Sequence, residues 1–209
     1  MDPSRSAQLA RVDAEVSGRD PKPFDASLTP AADLYLLEIN RPFESWVVLG
    51  RTGGEDAAIP FEELGLDPAG PYLVFEFWQR RYFGADLTAS FKPGPLPLPF
   101  SSQVFVVRAR QDHPQLIATG RHITGGGPDL VDVSWVEGVG GVLAGRSRVV
   151  GGDPYEVFLT EPAGWRFVSI ECDGGRALAT KRADAIVQTG CASETSGEVR
   201  WRARFARQS

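Results

Sequence analysis

Three carboxylates and one histidine are the residues of this chain whose type and setting could do chemistry. They are Glu76 in YLVFEFW, and His122, Asp129 and Asp132 in LIATGRHITGGGPDLVDVSW, residues 116–135. Ordinary glycoside hydrolysis needs two carboxyl groups, ~5–9 Å apart, one as acid and one as nucleophile or base. Two of Glu76, Asp129 and Asp132 facing each other across a cleft, with His122 titrating near neutrality, would make a small glycosidase or sugar-modifying enzyme conceivable. The structural alternative is preferred at each position. Asp129 reads as a turn residue capping GGGP with its side chain. Asp132 and Glu76 read as ion-pair partners of Arg121 and of Arg80 or Arg81. The Arg121–His122 pair reads as a buried corner device bonded to a backbone carbonyl or to Asp132, because no G-x-S-x-G elbow is present for the histidine to serve. Glycines 125–127 precede Pro, Asp and a strand rather than Lys-Ser/Thr and a helix, so they read as a tight turn and not as a phosphate loop.

A second set of candidates is aromatic. A pyranose ring packs its C–H face on an aromatic plane, and exposed binding residues sit commonly on turns. Trp78, Tyr82 and Phe83, at a strand end and turn, are therefore candidates for carbohydrate contact, with Arg121 beside them as a polar partner. Trp46, Trp135 and Trp165 read as core, and Tyr155 in GDPYE reads as a hydrogen-bonded corner tyrosine.

The elements that would position these groups are strands. The run Tyr72–Trp78 puts Leu73, Phe75 and Phe77 on a uniformly apolar face and Tyr72, Val74, Glu76 and Trp78 on the other. VFVVRARQ, LVDVSWVEG and the alternating EVRWRARF at the end of the chain follow the same logic, the last with its arginines on the wet face of a strand. Apolar strands Leu73–Phe77, Phe105–Val107 and Val131–Trp135 are expected to carry the core. Turn signals recur every 8–12 residues or so, as in a sandwich or barrel. A single helical turn is predicted over Phe61–Leu64, between Pro60 and Gly65. The Pro-rich stretch at 87–103 should run extended at an edge or on the surface. SRSAQLARVDAEV could form a short amphipathic helix on Leu9, Val12 and Val16, or a frayed arm. The expected fold is all-β: an antiparallel β-sandwich of about eight to twelve strands over residues 31–209, preceded by a short polar arm and connector at 1–30.

Composition narrows the function classes. With 209 residues the chain is long enough for a real core, and 42% hydrophobic and 23% charged residues describe a globular protein. A formal charge of −5 gives no electrostatic footprint for nucleic acid. No run approaches 18 apolar residues, so no membrane span is expected; the N-terminus has no apolar h-region or cleavage signature, and a cytoplasmic location is the default. Cys172 and Cys191 read as free thiols in a reducing compartment, with one cross-strand bridge as the alternative. Two Cys and two His without C-x-x-C or H-x-x-x-H spacing argue against a zinc site, and no other cofactor is indicated.

Three phrases, in this order, resemble the C-terminal β-domain of α-galactosidase-type glycoside hydrolases, the melibiase group and its raffinose-synthase-like relatives. They are WVVLGRTGGEDAAIPFEELGLDPAGPYLVFEFWQRRYFG, PQLIATGRHITGGGPDLVDVSW and LAGRSRVVGGDPYEVFLTEPAGW, spanning Trp46 to Trp165. In those enzymes the chemistry resides in a preceding (β/α)8 barrel, with two aspartates at strand ends. A typical barrel of ~250 residues does not fit in this chain. The resemblance therefore implies an accessory domain without its catalytic partner, structural or weakly carbohydrate-binding. Its partners would be a carbohydrate ligand, a catalytic-barrel protein or, in a purely structural reading, a second copy in a homodimer. The start at Met1 favours a stand-alone relative over a fragment.

Overall fold

Alternation of apolar and polar residues, broken every few positions by Gly, Pro, Asn or Asp, produces strands almost throughout. The computed structural model describes residues 9–12, 33–84, 87–96, 101–183 and 185–208. In chain order the strands are β1 (Leu9–Val12), β2 (Leu34–Asn40), β3 (Ser45–Arg51), β4 (Ile59–Pro60), β5 (Tyr72–Glu76), β6 (Arg81–Tyr82), β7 (Ser90–Phe91), β8 (Gln103–Ala109), β9 (Leu116–Thr119), β10 (Leu130–Glu137), β11 (Gly141–Val149), β12 (Tyr155–Thr160), β13 (Trp165–Asp173), β14 (Arg176–Ala177), β15 (Lys181–Ala183), β16 (Ile186–Ala192) and β17 (Gly197–Arg207). Seventeen strands among the described residues exceed the expected eight to twelve, because several turns carry two- or three-residue ladders of their own.

The strands form three main sheets. The first has order β1-β2-β3-β8-β5-β6, the second β14-β16-β12-β9 with β15 also on β16, and the third β10-β11-β17-β13; a small β4-β7 ribbon stands apart. Pairing is antiparallel except for β1, which lies parallel to β2 with Leu9 opposite Leu34. Leu9–Val12 is thus a strand, neither the amphipathic helix nor the frayed arm that the sequence left open, because β2 offers it an edge; the rest of residues 1–32 lies outside the described residues.

Three cores stack between these layers. Leu143, Trp201 and Phe205 of the third sheet pack on Val157, Leu159 and Val187 of the second. The other face of the second sheet, Ile117, Phe158 and Ile186, packs on Trp46, Val48, Leu73 and Phe75 of the first. The far face of the first sheet, Leu36, Leu49, Val74 and Phe105, is covered by Ile59, Phe61, Leu64 and Phe91. The covering turn is the one expected: a 3-10 helix at Glu62–Leu64, closed by Gly65 in the left-handed region at φ 75°.

This layering changes two expectations. β5 is buried on both faces, Leu73 and Phe75 in one core and Tyr72 and Val74 in another, so it has no wet face, and it stops at Glu76, before Phe77 and Trp78. β10 lies at the edge of its sheet, with Val133 and Trp135 only half-buried against the core; it closes a core that β11, β17 and β13 carry.

The cysteines are not free. Cys172 on β13 and Cys191 on β16 form a disulfide, Cα–Cα 5.9 Å, joining two sheets that face each other across the outermost core. Sequence spacing of 19 carried no hint of this, since the two strands meet only through sheet-on-sheet packing.

Candidate functional site

The stretch holding most of the candidates, residues 116–135, runs from β9 through a glycine corner into β10. Gly125 and Gly126 have φ of 64° and 120°, which disfavour any residue with a Cβ. A Cβ on Gly125 would stand 2.7 Å from a Val106 methyl, and one on Gly126 2.3 Å from Leu130. The corner therefore presses its backbone onto both neighbouring sheets. Pro128 and Asp129 then lead into β10.

Such close packing strands carbonyl oxygens, and three long side chains reach in to satisfy them. Arg108 Nη2 donates to Gly125 O at 3.1 Å and its Nε to Ile117 O at 2.9 Å. Trp46 Nε1 donates to Thr124 O at 2.9 Å, and Arg41 Nη2 to Leu130 O at 2.6 Å. Arg108 is fully buried, pairs with Glu44 at 2.5 Å and lies 3.8 Å above the Trp46 ring. Burial pushes the Glu44 carboxyl up, opposed by the Arg108 charge. The same burial pushes Arg108 down, opposed by Glu44 and Asp129. Breaking a buried pair of this kind costs ~3–5 kcal/mol, because the survivor keeps an uncompensated charge. Sequence reading missed Arg108 and Glu44; the available signal was one arginine in the otherwise apolar run VFVVRA.

The four groups that an enzyme would have used, Glu76, His122, Asp129 and Asp132, have separate partners. Asp129 is buried; its Oδ2 accepts a 2.7 Å hydrogen bond from Tyr155 Oη, and Oδ1 has no partner among the described residues. It is not a cap on the glycine turn, whose polar groups are taken by Thr124, His122 and Arg108 instead. Tyr155 does behave as a hydrogen-bonded corner tyrosine, and burial plus the Asp129 charge holds its phenol well above the ordinary range. Asp132 pairs with Arg146 at 3.0 Å, not with Arg121. Glu76 is buried without any arginine: its two oxygens accept from Gln79 N at 2.5 Å and Val104 N at 3.2 Å, so it ends β5 where an ion pair with Arg80 or Arg81 was expected. Arg80 instead grips Glu156 through its two terminal guanidinium nitrogens, at 2.6 and 3.2 Å.

His122 is exposed rather than buried. Its Nδ1 accepts from Thr124 N at 3.3 Å and lies 2.9 Å from the Thr124 hydroxyl, a local turn and not a contact with Asp132. Arg121 pairs with Asp153 at 3.0 Å. Neither faces Glu76, Asp129 or Asp132 in a hydrogen bond. Among the described residues no cluster of His, Cys, Asp and Glu could hold a metal ion, and no helix is long and apolar enough to cross a membrane.

The aromatic candidates also divide. Trp78 is 56% exposed, edge-on to Phe77. Tyr82 packs partly against the core between the first and second sheets, while Phe83 packs into the core on the opposite face with Phe91 and Phe105. Adjacent strand residues point to opposite faces, so Tyr82 and Phe83 cannot join one contact surface. The turn carrying Trp78 is held from both sides: Glu76 anchors its start, and Arg80 ties it to Glu156, which also accepts from Gln188 Nε2 at 2.6 Å. No protein-family model, curated protein or solved structure matches the chain.

Proposed function

We propose that this chain is a non-catalytic accessory module, related to the C-terminal β-domain of α-galactosidase-type glycoside hydrolases, that holds a glycan weakly at the turn carrying Trp78. One observation carries the reading. Glu76 and Asp129 are buried and hydrogen-bonded within the frame and Asp132 is paired with Arg146, so no two carboxylates face each other, while a large aromatic plane is left open on a braced turn. A braced platform loses little conformational entropy when a ligand docks, the condition under which a single stacking contact is felt. The polar side chains that brace its turn, Arg80, Glu156 and Gln188, have the chemistry to order sugar hydroxyls. The relation to the glycosidases rests on the three sequence phrases.

The bridge between Cys172 and Cys191 favours an oxidising compartment over the cytoplasmic location expected from the sequence. A glycan array followed by calorimetry tests the binding reading, with Trp78→Ala as the discriminating variant. Binding should weaken at least tenfold, about 1.4 kcal/mol, and nitrophenyl glycosides should not turn over. Turnover that falls in Glu76→Gln or Asp132→Asn, or binding of neutral glycans indifferent to Trp78→Ala, overturns the reading.

A second reading, association of two copies, is favoured by one specific feature. Val136, Val139 and Val168 are exposed together around a shallow apolar depression at one end of the third sheet, with Phe205 in its lining. Sedimentation velocity decides it: a monomer to high concentration counts against a dimer through this end.

A further inference from the structure

The third sheet, β10-β11-β17-β13, has one face in the outermost core and the other uncovered among the described residues. On β17 the outward positions are Arg200, Arg202 and Arg204, spaced ~6.8 Å apart as alternate residues of an antiparallel strand. Register shows what each meets. Arg204 is taken by Glu171, at 3.1 and 3.5 Å. That carboxylate stands opposite Arg202 in the ladder, so its engagement with Arg204 leaves Arg202 without it. Arg146 is taken by Asp132 at 3.0 Å and Glu198 at 3.6 Å. Arg200 stands opposite Arg146 across the β11–β17 ladder and opposite Asp173 across the β13–β17 ladder, without an ion pair to either. Neither Arg200 nor Arg202 forms an ion pair with any described residue.

Opposite Arg202 on the β11 side is Ala144. Its short side chain leaves an open depression of about 370 Å³, walled by Arg146, Arg200, Arg202 and Asp132. We propose that this depression binds a carboxylate of a uronate-bearing saccharide chain laid along β17. Two unpaired guanidiniums at a fixed spacing match successive anionic groups, and the planar guanidinium fork suits a carboxylate better than a point charge would. Asp132 and Ser134 on β10, beyond β11 in the same sheet, supply an acceptor and a hydroxyl for the sugar's own hydroxyls. The whole chain carries −5, so attraction of a polyanion must be local to this face.

Other anionic chains fit less well. Single-stranded nucleic acid needs aromatic side chains on which bases stack, and the outward neighbours here are Ser134, Val136, Val142 and Ala144. An acidic peptide added by strand pairing needs a sheet edge, whereas these arginines occupy a face.

The test uses the full chain in affinity electrophoresis through polygalacturonate, with a neutral galactan and a single-stranded oligonucleotide as parallel ligands. Arg200→Gln/Arg202→Gln is compared with Arg176→Gln/Lys181→Gln, which removes equal charge from exposed positions of the second sheet. Polygalacturonate should retain the native chain and the Trp78→Ala variant equally, while the galactan retains neither through these arginines. The Arg200/Arg202 pair should lose at least tenfold in affinity for the polyuronate, and the Arg176/Lys181 pair less than twofold. Equal loss in both pairs, retention by the oligonucleotide as strong as by the polyuronate, or no retention by polygalacturonate overturns the proposal.

Discussion

Reduction of the Cys172–Cys191 bridge should be the most informative single perturbation of this fold. The bridge closes a loop with a sequence separation of 19. In the chain-entropy account, a loop of that size withholds roughly 3 kcal/mol of freedom from the unfolded chain. For a protein of this length, each kcal/mol moves the midpoint by about 2–4 °C, so a fall of about 6–12 °C is expected on reduction. Cys191 is 1% exposed, so the pair is best replaced with Cys172→Ala/Cys191→Ala, which puts no new hydroxyl into the core. Circular dichroism would follow thermal unfolding of the native, reduced and double-alanine chains, with thiols counted in denaturant before and after reductant. The denaturant slope should also rise in the reduced chain, because an unlinked unfolded state exposes more surface. Two titratable thiols in the unreduced denatured protein would refute the bridge. A midpoint unchanged by reduction would refute the view that it limits the unfolded state.

Two further perturbations probe the corner. Tyr155→Phe should cost about 1.5–3 kcal/mol, the worth of a hydrogen bond to a charged group, since Asp129 would lose the donor to Oδ2 while Oδ1 already lacks one. The phenol is held above its ordinary value of 10.0 in the folded chain, so its contribution is present below that pH and is lost as pH rises toward the folded value. Alkaline unfolding followed by fluorescence should steepen from about pH 10 in the native chain and less so in Tyr155→Phe; identical profiles would refute the burial of that phenol. Gly125→Ala should cost about 2–4 kcal/mol, combining a left-handed backbone penalty with overpacking on Val106. Adding Val106→Ala should recover the steric part and leave the backbone part, and simple additivity of the two changes in urea melts would show that they do not meet.

Legibility from sequence followed the range of the interaction. β17 was readable because its alternation is local: Val199, Trp201, Ala203 and Phe205 are buried and Arg200, Arg202 and Arg204 exposed, as spacing alone requires. The all-β class, the turn at Glu62–Leu64 and the glycine corner were readable for the same reason. For β5, alternation marks only the Leu73 and Phe75 face as core, and the second core on Tyr72 and Val74 comes from a covering layer that no local pattern shows. Glu76 was misassigned because a lone charge usually marks solvent; here it accepts two backbone N–H groups, one of them 28 residues away. Asp129 needed Tyr155, 26 residues on, and the arginine beneath the glycine corner needed Glu44, 64 residues back. No spacing rule reaches those distances, since they depend on how three sheets stack.

The stacking also has a bearing on how the chain is made. Every described strand up to residue 109 belongs to the first sheet or its covering ribbon, and every one from residue 116 onward belongs to the second or third. The connection through Asp112–His113–Pro114 is therefore the one passage between them among the described residues. During synthesis the first sheet emerges with Trp46, Val48, Leu73, Phe75 and Val106 uncovered, and these are the side chains that the second sheet later buries. The nascent half presents an apolar face to the ribosome exit and its chaperones until some eighty further residues have been added, a window in which aggregation competes with folding. The later half has its own core and covalent bridge, and it completes the earlier one.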